Sequence, residues 1–204
     1  MNQVAKGAGI ESVWRGGVSP FAVSWRKLMM WLFIITDGLL FAGLLAGYGF
    51  VRLASPRWPN RAEIFHLDFI ALMTFILITS SATMATAVGA ARQGRPKTVV
   101  RFLLLTILGG LSFLGCQAYE WSKLIGEGAR LSTNPWGVPL FSAAFFIITG
   151  FHGSHVLTGV LILSVVAVRA LRQRVSPEGV ELAGLYWHFV DLVWVFIFTL
   201  FYLI

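Results

Sequence analysis

Residues 186–204 read YWHFVDLVWVFIFTLFYLI, and within this aromatic and aliphatic run His188 and Asp191 are the only imidazole and carboxylate. Roughly 20 apolar residues in a helix cross the ~30 Å hydrocarbon layer of a bilayer, so the stretch reads as a membrane-spanning helix. An unpartnered polar group in hydrocarbon costs several kcal/mol. His188 and Asp191 therefore need neighbours on other helices, and the reading of one segment already demands a bundle.

The rest of the chain agrees. Its 204 residues are 57% hydrophobic and 14% aromatic, and the mean hydropathy is +0.77. Soluble domains stay near 45–50% apolar. The formal charge of +7 does not mark a nucleic-acid binder, because the Lys and Arg residues lie between apolar runs instead of collecting on one face. Cys116 is the single cysteine, which excludes an internal disulfide and any multi-thiolate metal or iron–sulfur site within the chain.

Five apolar runs are long enough to span: about 28–51, 66–91, 99–120, 138–168 and 182–204. The expected fold is all-α, a polytopic bundle of five transmembrane helices, with residues 1–27 as a cytoplasmic tail and 28–204 as a single membrane domain. Pro135 and Pro139 mark the start of the fourth helix. Eleven Lys and Arg residues fall on the side of the N-terminal tail and five on the other, so the positive-inside rule predicts a cytoplasmic N-terminus and an outer C-terminus. In the first span Gly38, Ala42 and Ala46 recur at four-residue spacing, a stripe that predicts close approach of another helix.

Depth along each helix sorts the polar groups. From the helical rise, Asp37, His188 and Asp191 lie at similar depths, roughly 9–14 Å from the predicted cytoplasmic surface. His152 and His155, entering on the long fourth span, come near the same layer. His152 with His155 and His188 with Asp191 are spaced i,i+3, so each pair shares a helix face, and the two faces are expected to meet in one buried polar cluster. His66, Asp68 and Glu120 fall in the outer half, where the second span begins and the third ends, and are expected to form a second group.

Each of these residues has a plain reading, an interhelical hydrogen bond worth about 1 kcal/mol. Asp37 stands apart as the only ionisable residue in its apolar run, and a proton-linked or lipid-facing role is set beside the structural one. A metal site finds no support in spacing: a di-iron bundle needs two Glu-x-x-His motifs, the chain has neither that pair nor His-Glu-x-x-His, and an i,i+3 His pair alone is weakly specific. Buried carboxylates and histidines also suit a stand-alone proton-coupled transporter, although five spans do not divide into two repeats. A metal-dependent intramembrane enzyme is a third class.

The stretches GLYWHFVDLVWVFIFTLFYL (184–203) and FFIITGFHGSHVLTGV (145–160), with QAYEW (117–121) and WLFIITDGLLFAG (31–43), resemble the subunit III family of haem-copper terminal oxidases. They cover four of the five spans in family order, and the chain resembles the short five-span bacterial form, which lacks two leading helices. The resemblance implies a non-redox accessory subunit in the bacterial plasma (inner) membrane. It would stabilise subunit I, bind phospholipid in a cleft between the first two spans and the rest, and support proton uptake. Haems and copper would reside in partner subunits and no cofactor in this chain. Subunit I, subunit II and a small subunit IV are the implied partners.

By the same resemblance, Glu120, His152, His155, His188 and Asp191 are signature polar residues that join helices, with His188 and Asp191 tying the last helix to the fourth. The family commonly has a glutamate where this chain has Asp37. Aspartate there is familiar from bo-type ubiquinol oxidases, so cytochrome c is expected as the donor of the parent complex with quinol as the alternative.

Overall fold

The computed structural model describes residues 23–204. Among them, five helices are long and apolar enough to cross a membrane: Trp25–Ala54, Leu67–Arg92, Pro96–Gly126, Pro139–Leu171 and Pro177–Leu203, the last closing in a π-helical turn over Thr199–Leu203. A short helix, Arg61–Ile64, lies between the first two. No strand occurs among the described residues, and the chain is an all-α polytopic membrane protein.

The helices run past the apolar segments that predict them. Hydropathy stops at the first charge, but backbone hydrogen bonding continues into the interface, so Lys27, Arg52 and Lys123 all lie within helices. Of the expected tail, residues 25–27 belong to the first helix, and 1–22 lie outside the described residues. Local chemistry sets the starts. Ser24 and Ser176 accept hydrogen bonds from the amides of Lys27 and Gly179, while Pro96, Pro139 and Pro177 occupy first-turn positions where a missing N–H costs nothing.

The second span packs on the third and fifth, the third on the fourth, and the fourth on the fifth. The first span leans on the fifth and fourth and buries only Phe41 and Tyr48. The first two spans therefore do not form the pair that the expected cleft requires, because the second belongs to the inner group.

The small-residue stripe of the first span fails as a packing face. Ala42 and Ala46 are exposed, and a Cβ on Gly38 would meet only Phe189, at an ordinary 3.6 Å. Close approach occurs instead at Trp187, which is 1% exposed. A Cβ on Gly110 of the third span would come within 2.5 Å of its ring and one on Gly159 of the fourth within 2.9 Å. These two glycines let an indole fill the space between three helices, where dispersion contacts rather than water exclusion hold a membrane bundle together.

Candidate functional site

The predicted polar residues separate into four local arrangements instead of the two expected groups. The first joins the first and fourth spans. His155 Nε2 lies 3.3 Å from Asp37 Oδ2, with 14% and 10% of the two side chains accessible. His155 Nδ1 is 2.8 Å from the Phe151 carbonyl, which can only accept, so Nδ1 carries a hydrogen and Nε2 is left to the carboxyl. Phe41 and Phe151 pack against the imidazole at 5.2 and 4.6 Å between ring centroids. The Tyr186 hydroxyl donates to the His155 carbonyl at 3.1 Å, adding the fifth span. The pair thus sets an imidazole Nε2 beside a carboxyl oxygen, with aromatic rings packed on the imidazole and a small part of both side chains accessible.

His152, one turn earlier, points elsewhere. It is fully buried, stacks on Trp194 at 5.2 Å and meets the edge of Phe113 at 5.7 Å. Neither ring nitrogen has a hydrogen-bond partner. The i,i+3 spacing brings two residues to one broad face, yet the roughly 60° between them is enough to aim one into the bundle and the other at the first span.

The third arrangement corrects the expected tie between the last helix and the fourth. His188 Nδ1 is 2.6 Å from Ser81 Oγ of the second span, and Asp191 stands beside the same Ser81 and His188. The fifth span reaches the fourth through other groups, namely Tyr186, Trp187 and Trp194. Because Trp187 and Trp194 take the inner face, helical periodicity turns His188 and Asp191 toward the second span.

In the fourth arrangement, the Tyr202 hydroxyl, presented by the π-helical turn, donates to Glu120 Oε2 at 3.1 Å. Glu120 and His66 line one cavity of about 190 Å³ with Tyr119 and Lys123. Asp68, expected in the same group, is exposed in the first turn of its helix and takes no part in that lining.

Sequence reasoning missed the indole bonds. Trp187 Nε1 donates to Ser80 Oγ at 3.1 Å, Trp194 Nε1 to Thr74 Oγ1 at 3.0 Å, and Trp121 Nε1 to Thr149 Oγ1 at 3.2 Å. Gln117 adds a bond to the Thr149 carbonyl at 3.0 Å. A signal existed: a buried Trp needs an acceptor, and Trp187 and Trp194 are seven residues apart on one face, opposite a second span containing Thr74, Ser80 and Ser81. At one end of the bundle Glu181 of the fifth span pairs with Lys27 of the first and, at 3.3 Å, with Arg92 of the second. Among the described residues no three His, Cys, Asp or Glu side chains gather in a metal-binding group.

A bundle of five apolar helices, joined by isolated polar contacts, defines a polytopic membrane protein. The whole chain, residues 1–204, matches the family model described as cytochrome c oxidase subunit III. It is 34% identical to quinol oxidase subunit 3 of Bacillus subtilis (strain 168), over 86% of this chain and 85% of that protein. To cytochrome c oxidase subunit 3 of Bacillus sp. (strain PS3) it is 33% identical, over 87% and 85%. To cytochrome bo(3) ubiquinol oxidase subunit 3 of Pseudomonas putida it is 32% identical, over 87% and 84%.

The chain belongs to the cytochrome c oxidase subunit III family and is a subunit of a haem-copper terminal oxidase. Membership favours a subunit over a stand-alone transporter or a metal-dependent enzyme.

Proposed function

We propose that this chain is a non-redox accessory subunit that stabilises the haem-copper subunit I, binds phospholipid and supports proton uptake by the complex. It would sit in the bacterial plasma membrane with its N-terminus in the cytoplasm, beside subunits I and II and a small subunit IV, the partners holding the haems and copper. The observation that carries the reading is the Asp37–His155 pair on the least buried helix. The first span is held lightly by its own chain and leaves Leu39, Phe50 and Leu53 exposed, a surface suited to lipid and a larger subunit. An imidazole–carboxyl pair on such a span is within reach of a neighbouring protein.

His188, Asp191, Glu120 and His152 belong in this reading to helix–helix seams, and His66 and Asp68 to the interface. Cytochrome c is the proposed donor. Quinol is the second reading, favoured by Asp37 and by relatives named as quinol oxidase subunits.

The test is Asp37→Asn in the assembled oxidase. The expected outcome is unchanged subunit content with lowered proton uptake during turnover, since the amide keeps the shape and loses the exchangeable proton. Loss of the chain from the complex would make Asp37 structural. Adding reduced cytochrome c or a quinol to the purified wild-type complex identifies the donor.

A further inference from the structure

Two cavities open along the outer seam of the third and fourth spans, and Trp121 is a wall of both. One, of about 430 Å³, is lined by Ile125, Leu131, Phe146, Ile147 and Arg130. The other, of about 250 Å³, continues past Ala118, Gly150 and Gly153 to Leu114 and Leu157. Its floor is made of small residues: a Cβ on Gly150 would come within 2.8 Å of Trp121, and one on Gly153 within 3.4 Å of Gln117. The groove exists because these positions carry no side chain.

The dimensions suit one kind of occupant. From Ile125 to Leu114 the third span rises about 17 Å, close to half of the ~30 Å hydrocarbon layer. A partner helix is about 10–12 Å across with its side chains, so it could place only side chains in the furrow and not lie within it. An extended hydrocarbon chain fits. The charge lies at the loop end, where headgroups are: Arg130 stands four residues beyond Gly126, the last residue of the third span, and no Asp or Glu among the described residues lies within ion-pairing distance of it.

We propose that this groove binds an anionic phospholipid, one acyl chain lying along Trp121 and Ala118 and the phosphate held by Arg130. The site lies between the third and fourth spans, on the inner group of helices and away from the first. The proposal deepens the lipid reading above, and it rests on the membrane assignment but not on the choice of electron donor.

The test uses the purified complex, exchanged into micelles containing phosphatidylglycerol or phosphatidylcholine and examined by native mass spectrometry. Wild type is expected to retain phosphatidylglycerol in preference to phosphatidylcholine. Arg130→Glu should cut phosphatidylglycerol retention roughly tenfold and abolish the preference. Ala118→Trp, which fills the groove at an exposed position, should lower retention of both lipids. Equal phosphatidylglycerol retention in all three proteins overturns the proposal.

Full retention in Ala118→Trp with loss in Arg130→Glu also overturns it, because headgroup attraction then acts without the groove. Departure of a small protein subunit from Ala118→Trp, with lipid unchanged, assigns the groove to a helix and overturns it as well. If the chain purifies alone and without haem, the subunit reading fails while lipid retention is still measured.

Discussion

Between Trp25 and Ala54 only Phe41 and Tyr48 are buried, whereas between Pro177 and Phe198 ten residues are, Trp187 and Trp194 among them. Both helices are apolar enough to span a bilayer, and both carry a carboxylate near mid-span. The fifth span commits its face to three neighbours and satisfies its indoles with Ser80 and Thr74. The first commits less: the Asp37–His155 contact, Phe41 against Phe151 and Phe189, Tyr48 against Phe201 and the Leu200 carbonyl, Arg52 to the Ile204 carbonyl and the Lys27–Glu181 pair. The inner four helices are thus held by shape along their length, and the outer one by two buried rings and a few polar points. A helix that its own chain holds so lightly is available to lipid or to another subunit.

The largest expected effect lies at the centre of the inner group. Trp187→Ala removes an indole wedged between Gly110 and Gly159 and leaves Ser80 without its donor. Thermal unfolding in mild detergent should show a loss of about 3–5 kcal/mol. A loss no greater than that of a lipid-facing control such as Leu192→Ala would erase the distinction between the two regions.

A smaller effect sharpens the pairing of the fifth span. Removing either side chain of the His188–Ser81 contact should cost about 1 kcal/mol, and the two losses should be strongly non-additive in a double-mutant cycle. Coupling of His188 to a fourth-span residue instead of Ser81 would restore the tie that the family resemblance implies.

The smallest effect concerns the end of the first span. Glu181→Gln removes the carboxylate shared by Lys27 and Arg92, and because the groups are partly exposed the cost should stay under about 1 kcal/mol. Hydrogen exchange should rise in the first span and leave the fifth unchanged. Equal loosening of both would erase the difference in how firmly the two helices are held.

Asp37, Glu120, His152, His155, His188 and Asp191 were all identifiable from the chain, because an ionisable group in an apolar run is conspicuous. Their partners were not. His155 found Asp37, His188 found Ser81, Glu120 found Tyr202, and His152 found only aromatic rings. The serine and tyrosine partners are common residues that carry no signal until two helices meet. The Gly38–Ala42–Ala46 stripe misled for the same reason: small residues permit close approach but do not cause it, and Gly110 and Gly159 were used because a large indole lay opposite.

The sequence alone determined that the chain is a bundle of five membrane-spanning helices, since hydropathy and length are properties of single segments. Its signature stretches also led to the oxidase subunit III family. Tertiary structure decided which helix is held loosely, which polar groups face one another and where a groove remains open, because those depend on the rotation of each helix about its axis. Many rotations suit an apolar segment in hydrocarbon equally well, and only packing against neighbours selects one.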